Sequence, residues 1–236
     1  MKMSYGSGGA IFEYTKTNMK VYKEITPLTQ NDVFVIINSE KIGFDYPIHY
    51  HSAYELTLIL NSSGNRIVGD SVEKYDSNDL VLIGPEIYHR WDDDDMPPEK
   101  RNNAHVITIQ FSKDLFGHSL FLKDSFFAIK NLLEDSQRGL KFTGETLQVV
   151  AERMKALTLV KEFESAMTFL NILNMLAVSQ DKTYLASEGF ISITEDLKGD
   201  RINKMYTYIL EHFNDPNLRI TELAQESNMS ASAFGH

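Results

Sequence analysis

Between Asn31 and Phe111 the chain sets short apolar runs and alternations between turn residues, a pattern that predicts antiparallel β-structure. The clearest strands are Glu55-Leu-Thr-Leu-Ile-Leu60, Asp79-Leu-Val-Leu-Ile83 and His105-Val-Ile-Thr-Ile-Gln-Phe111. In the last of these, the period of two puts His105, Ile107, Ile109 and Phe111 on one face and Thr108 and Gln110 on the other. Such strands make a sandwich or a barrel. After Thr143 the period becomes helical: Leu147, Val150, Met154 and Leu157 line one stripe. A second helix is expected from Lys161 to Ser179. There Phe163, Met167, Leu170 and Leu173 form one stripe, and Phe169, Ile172 and Leu176 widen the apolar surface. That surplus face calls for a cover, either this chain or a second subunit. Asp181 to Asp200 contains Gly189 and Gly199 and no sustained stripe, so it reads as a linker with about one turn of structure. Helical spacing resumes at Ile202, Met205, Tyr206, Ile209 and Phe213, and Asn214-Asp-Pro216 stops it. The expected division is a mainly β domain with an N-terminal arm (1–142), a helical segment (143–180), a linker (181–200) and a small all-α domain (201–236).

The last stretch, Arg219-Ile-Thr-Glu-Leu-Ala-Gln-Glu-Ser-Asn-Met-Ser-Ala-Ser-Ala-Phe-Gly-His236, has the spacing of a helix-turn-helix that stops inside its second helix. Two helices crossing at a tight turn need a small residue at the contact and a residue tolerant of positive φ at the bend, and Ala224 and Asn228 fill those places. Met229 and Phe234 point back as core plugs. Thr221 and Ser230 suit N-caps. In a DNA reader the helix opened by Ser230 enters the major groove with its first residues nearest the bases. An ordinary helical hairpin is the competing reading. Charge sharpens the question, because the formal net charge is −10 and Arg201 to His236 holds three Lys or Arg against four Asp or Glu. Phosphate contacts need cations, so this tail by itself lacks the electrostatic footprint of a DNA reader.

Cysteine is absent, which removes disulfides and thiolate zinc sites. Met1 to Ala10 has no apolar core of a signal peptide, and no run approaches the ~18 apolar residues of a membrane span. A cytoplasmic protein without membrane contact is the default expectation.

Candidate chemistry concentrates in Gly43-Phe-Asp-Tyr-Pro-Ile-His-Tyr-His-Ser-Ala-Tyr-Glu55 and Pro85-Glu-Ile-Tyr-His89. His49, His51 and Glu55 share one strand parity, and His89 on a neighbouring strand completes a set of three imidazoles and one carboxylate. Such donors suit Fe(II), Mn, Ni or Zn with open positions. Equally, they can form a polar pocket for sugar hydroxyls or another polar effector, with Trp91 nearby. Tyr50 falls on the opposite side of its strand from His49 and His51, and Tyr54 and Tyr88 lie close in sequence. His105 and His118 are read as ordinary hydrogen-bonding histidines. Asp92 to Asp95, followed by Pro97-Pro98, reads as a solvated hairpin tip rather than a Ca²⁺ loop.

With these residues in view, the chain resembles a cupin barrel in its first half and, over nearly its whole length, a bacterial transcriptional regulator of the AraC type. His49, His51 and Glu55 match the first cupin motif, although eight residues lie between Glu55 and Gly64, a wider spacing than the enzyme pattern has. Pro85 and His89 match the second motif without its usual intervening glycine. The resemblance implies a cupin-like barrel (a double-stranded β-helix), a helical dimerisation segment and a partial all-α helix-turn-helix domain. It further implies a homodimer that senses a small molecule through His49, His51, Glu55, His89 and Trp91, with carbohydrate as the preferred class, and that reads operator DNA in its full-length form. No cofactor is expected; a metal, if present, takes His49, His51, Glu55 and His89. Ser230, Ala231, Ser232, Gly235 and His236 match the start of the family's recognition helix, so the chain is expected to end inside the first of two helix-turn-helix units and to bind DNA weakly alone. The competing class is a metal-dependent cupin enzyme, an isomerase or dioxygenase. A naturally shortened regulator that titrates full-length subunits is a third.

Overall fold

The computed structural model describes residues 5–6, 9–10, 21–42, 47–93, 103–112, 114–115, 120, 123–190, 208–209, 212 and 215–226. Beyond a two-residue hairpin, β1 (Tyr5–Gly6) and β2 (Gly9–Ala10), the strands fall into two sheets. The smaller sheet holds β3 (Tyr22–Lys23), β5 (His49–Tyr50), β7 (Gly64–Val68), β8 (Ser71–Tyr75) and β10 (His89–Asp92), in the order β3-β5-β10-β7-β8. The larger holds β4 (Phe34–Ile42), β6 (Tyr54–Asn61), β9 (Asp79–Ile83), β11 (Asn103–Phe111), β12 (Leu140–Phe142) and β13 (Lys182–Tyr184), in the order β13-β12-β9-β6-β11-β4. All pairings are antiparallel except that of β3 with β5.

Alternation sorts the larger sheet into two faces. Leu56 and Leu58 of β6, Leu80 and Leu82 of β9, and Ile107, Ile109 and Phe111 of β11 face one way into the main core. Three helices, α1 (Phe127–Asp135), α2 (Gly144–Leu157) and α3 (Glu162–Val178), supply the opposing side chains of that core. The other face carries Ile59, Val81, Ile83, Ala104 and Val106, which pack against Val68, Tyr75 and Trp91 of the smaller sheet. The central sheet is therefore buried on both sides, which is why β9 reads as an unbroken apolar run apart from Asp79.

The expected barrel does not close. Among the described residues no pairing joins the edge strands of the two sheets. Strand β8 ends its sheet with exposed Val72, Glu73 and Lys74, a short charged edge that discourages further pairing. The fold is a mainly β domain of two sheets backed by helices.

Strand β13 lies inside the segment read as a linker. Lys182, Thr183 and Tyr184 pair with Phe142, Lys141 and Leu140, and the following Leu185 and Ala186 are buried. Arg138 fixes this end: its guanidinium lies 4.3 Å from the Tyr184 ring centroid, and its Nη2 donates to the Ala186 carbonyl at 2.9 Å. Three half-exposed residues leave no periodic mark, so the strand was invisible to a hydrophobic scan. Helix α1 was likewise absent from the expectation. In α3 the buried residues are Phe169, Ile172, Leu173 and Leu176, whereas Phe163 and Met167, assigned to the leading stripe, stand 77% and 39% exposed.

A further helix spans Ile220–Glu226. Thr221 therefore sits within the first turn rather than at the cap, and the Arg219 amide donates to Glu222 Oε2 at 3.4 Å. Ala224, expected at the tight contact, is buried. Ser230, Ala231, Ser232, Gly235 and His236, like Asn228, lie outside the described residues, as do 191–200 and most of 201–213. No described helix is long and apolar enough to cross a membrane.

Phe169 fastens α3 to the sheet, with its ring centroid 4.6 Å from that of Phe34 and 5.1 Å from that of Phe111. Phe169→Ala is expected to cost about 3–5 kcal/mol in denaturant unfolding. A loss below about 1 kcal/mol would show that α3 does not depend on this contact.

Candidate functional site

Strand pairing assembles the histidines. The register of β5 and β10 puts His49 directly opposite His89, with ring centroids 4.2 Å apart. His51 follows two residues after His49 and brings its ring centroid to 5.0 Å from that of His89. Glu55 enters from the neighbouring larger sheet, at the start of β6, where Gln110 is its cross-strand partner. One ligand-type atom from each of His49, His51, Glu55 and His89 lies within 4.8 Å of the others.

Each imidazole is oriented by a backbone carbonyl two residues away in sequence. His49 Nδ1 is 2.9 Å from the Pro47 carbonyl oxygen, His51 Nδ1 is 3.0 Å from that of Ala53, and His89 Nδ1 is 2.8 Å from that of Ile87. A carbonyl oxygen only accepts, so all three Nδ1 atoms carry protons and all three Nε2 atoms turn inward. His51 Nε2 also lies 3.0 Å from Glu55 Oε2. His51 thereby donates from both nitrogens and is an imidazolium paired with Glu55. Burial alone lowers its pKa, but the Glu55 hydrogen bond and charge, helped by Glu24, hold it above the ordinary histidine value. For Glu55 burial works upward, yet the hydrogen bond from His51 and the positive charge of that imidazolium keep its carboxyl well below the usual range. His89 goes the other way: burial and the neighbouring His49 push it well below the ordinary value, leaving a neutral ring. Its Nε2 is buried with no hydrogen-bond partner, 3.7 Å from Glu55 Oε1. An uncommitted lone pair aimed at a carboxylate and two other imidazoles is the donor geometry of a metal site.

Beside this cluster lies a cavity of about 80 Å³. Glu55, Thr57, Thr108 and Gln110 line its polar side, while Ile37, Ala104, Val106 and Trp91 supply an apolar wall. Thr57 Oγ1 donates to Glu55 Oε1 at 2.7 Å, and Gln110 Nε2 donates to Glu55 Oε2 at 3.0 Å. The Trp91 indole is part of the wall only through its ring, because its Nε1 donates to Asp79 Oδ2 at 3.0 Å. Asp79 is in turn paired with the buried Arg66, whose second amino group reaches Glu73 Oε2 at 2.6 Å.

The structure thus brings His49, His51, Glu55, His89 and Trp91 together. Tyr50 does lie on the other side of its strand, packed edge-on against Tyr88 near Ile48 and Ile67, and Tyr54 stacks on Phe111 in the main core. His105 hydrogen-bonds Asn38 Oδ1 at 2.8 Å away from the site, and His118 is outside the described residues. Asp92 and Asp93 are a correction: both are buried, not solvated. Gly64 permits this, since a Cβ there would lie 1.8 Å from the Asp92 carbonyl oxygen. Sequence reasoning missed Thr57, Thr108, Gln110 and Glu24. Parity with Glu55 marks Thr57, and the polar face of β11 marks Thr108 and Gln110; Glu24 had no such signal.

No protein-family model matches the chain, and no curated protein does. Among solved structures it is similar to the AraC-like transcriptional activator CuxR at 10% identity, covering 77% of this chain and 58% of that one, with a TM-score of 0.36. It is also similar to ToxT from Vibrio cholerae, bound to (E)-4-(8-methylnaphthalen-1-yl)but-3-enoic acid, at 15% identity over 86% of this chain and 74% of that one, with a TM-score of 0.41. HEPD from Streptomyces albus, with 2-hydroxyethylphosphonate and Fe(II) bound, shows 12% identity over 80% of this chain and 49% of that one, with a TM-score of 0.24. The chain spans less than two thirds of the CuxR chain.

The loop that delivers His89 is strained. Glu86 has φ of 61°, a left-handed conformation that suits glycine. Its side chain is also buried, with Oε2 making no hydrogen bond. Glu86→Gly is expected to raise stability by about 1 kcal/mol despite the greater freedom of the unfolded chain. Thermal unfolding checks this, and a lower melting temperature would mean that the buried carboxylate serves a need outweighing the strain.

Proposed function

We propose that the chain is the sensing part of a ligand-responsive transcriptional regulator of the AraC type. The observation that carries this reading is the convergence of three imidazoles and Glu55 beside a cavity that His49 and Glu55 line together with polar Thr57, Thr108 and Gln110 and apolar Ile37, Val106 and Trp91, the composition of a small-molecule site. Support for a link to DNA comes from the sequence Arg219–His236, in which Ser230, Ala231, Ser232, Gly235 and His236 would open the recognition helix. Exposed Leu159, Phe163 and Met167 around the α2–α3 connection support a homodimer, since a cluster of large apolar side chains in water favours association. Effector binding then acts through differential affinity for two arrangements of the dimer, changing how the paired DNA-binding units meet operator half-sites.

The cavity wall also informs the effector class. Two carboxylates, Glu24 and Glu55, and no Lys or Arg line the cavity among the described residues. A neutral polyhydroxyl compound fits better than an anion: hydroxyls donate to the carboxylates and to the unpartnered Gln110 Oε1, and a sugar's apolar face suits Trp91. A panel of neutral sugars and polyols, screened by thermal unfolding of the chelator-treated chain, is expected to contain a stabilising ligand. At a hundredfold excess over Kd it adds about 2.7 kcal/mol. Stabilisation that persists in His49→Ala/His51→Ala sinks the site assignment.

A second reading is favoured by the inward Nε2 atoms. The donor set fits a divalent transition metal, with His49, His51, His89 and Glu55 holding it. The metal would supply Lewis acidity and open coordination positions, to a metal-tuned sensor or to a cupin enzyme of the isomerase or dioxygenase kind. Within this chain, the carbonyls of Pro47, Ala53 and Ile87 would keep the three rings in the ligating tautomer, while Thr57 and Gln110 orient Glu55. Elemental analysis of the purified chain is expected to find near-stoichiometric metal that is lost in His49→Ala/His51→Ala. Metal retained by the double variant would place the ion elsewhere.

A further inference from the structure

Glu24 belongs to no motif, yet the fold delivers its carboxylate to the histidine cluster. Parallel pairing of β3 with β5 sets Tyr22 beside His49, and the Glu24 amide donates to the Tyr50 carbonyl at 2.9 Å. From there Glu24 Oε2 reaches 3.8 Å from His49 Nε2 and 3.8 Å from His51 Nε2. Gln110 Nε2 donates to it at 3.3 Å and to Glu55 Oε2 at 3.0 Å, so one amide nitrogen holds the two carboxylates side by side. Like charges this close disfavour each other, and the His51 imidazolium that faces both meets only one of the two. Two donors each about 2 Å from one ion can be no more than about 4 Å apart, a limit that both Glu24 distances meet.

We infer that Glu24 is a fifth donor of this site, and that a divalent transition-metal ion held by it ties the N-terminal strand to the sheet. The inference rests on the metal reading given above. Three neutral imidazoles and two carboxylates cancel the charge of such an ion, whereas Glu55 alone leaves it half compensated. The mechanical consequence follows from the size of β3, which is two residues long and is a marginal element without a further anchor. A cation bridging Glu24 to His49, His51, Glu55 and His89 provides that anchor. Site occupancy thereby becomes docking of β3.

The test titrates the full chain, stripped with a chelator, with Co²⁺ alone. Calorimetry reads affinity, the visible absorption of bound Co²⁺ reads coordination, and the rate of tryptic cleavage at Lys23 reads docking of the strand. In Glu24→Gln, which keeps the shape and the backbone pairing, affinity is expected to fall about tenfold or more. Its Co²⁺ spectrum should differ from that of the wild type, and Co²⁺ should no longer slow cleavage. Glu24→Asp, shorter but still charged, should restore the spectrum in part. Unchanged affinity and spectrum in Glu24→Gln overturn the fifth-donor role while leaving the metal reading intact. A wild-type chain that takes up no Co²⁺ overturns both.

Discussion

A carboxylate withdrawn from water costs several kcal/mol unless its oxygens are hydrogen-bonded and its charge is met, and Glu55 is such a carboxylate. The surroundings of the site follow from that requirement. Thr57 and Gln110 satisfy the oxygens from the same sheet, and His51 supplies the opposing charge from just past the end of β5 in the other. The carboxylate is thus the point at which the two sheets are held in one relation. A neutral residue in its place would leave Gln110, Thr57 and three inward-turned imidazoles with nothing to converge on. The apolar packing of Ile59, Val81 and Val106 against Val68 and Trp91 brings the sheets together, but it is non-directional. Glu55 makes the juxtaposition specific.

A second buried charge performs a related task one layer away. Arg66 is 1% exposed, and its pair with Asp79 spans from the smaller sheet to the larger. Asp79 uses its other oxygen to hold the Trp91 indole, so the wall of the cavity is fixed by an ion pair that never touches the cavity itself. Breaking such a buried pair from one side costs about 3–5 kcal/mol, far more than a surface pair is worth. The orientation of Trp91 is accordingly as rigid as the core around it. This rigidity stands in contrast to Glu86, where the chain accepts a left-handed residue just before His89. Strain next to a rigid wall is a common arrangement at binding sites, because the surrounding structure over-determines the strained turn.

Much of this was legible in the residues. Parity set His49, His51 and Glu55 on one side of a single strand, whereas the fold brings them together from β5 and β6 of two different sheets; it also put Thr108 and Gln110 opposite Ile107 and Phe111, without marking that face as a cavity wall. The helical stripe of α2 was also readable, because Val150, Met154 and Leu157 recur on one face and are buried together. What escaped notice shares a physical character. Strand β13 and the two residues of β3 are too short to show a period, and their place is set by partners distant in sequence. The closed barrel failed for a similar reason: alternation reports which face of a strand is buried, not which edge it pairs with. In α3 both candidate faces were apolar, so only the position of Phe34 and Phe111 decided that Phe169 turns inward and Phe163 outward. The burial of Asp92 and Asp93 depended on Gly64, a contact across strands that composition does not register.

The net charge of the site constrains its occupant more strongly than its shape does. Two carboxylates, Glu24 and Glu55, concentrate negative charge in a partly desolvated space, where His51 is paired with Glu55 and His89 is neutral. An anionic effector entering directly would add to that charge, and no Lys or Arg among the described cavity residues would offset it. Neutral polyols avoid the penalty, and a divalent cation removes it. Proton and metal ion compete for the same inward nitrogens, because His51 can give Nε2 to a metal only by releasing the proton it now shares with Glu55. On the proposed metal reading, a divalent ion held by His49, His51, Glu55 and His89 would exchange that hydrogen bond for bonds to several donors, with Glu24, next to β3, within reach of the same nitrogens.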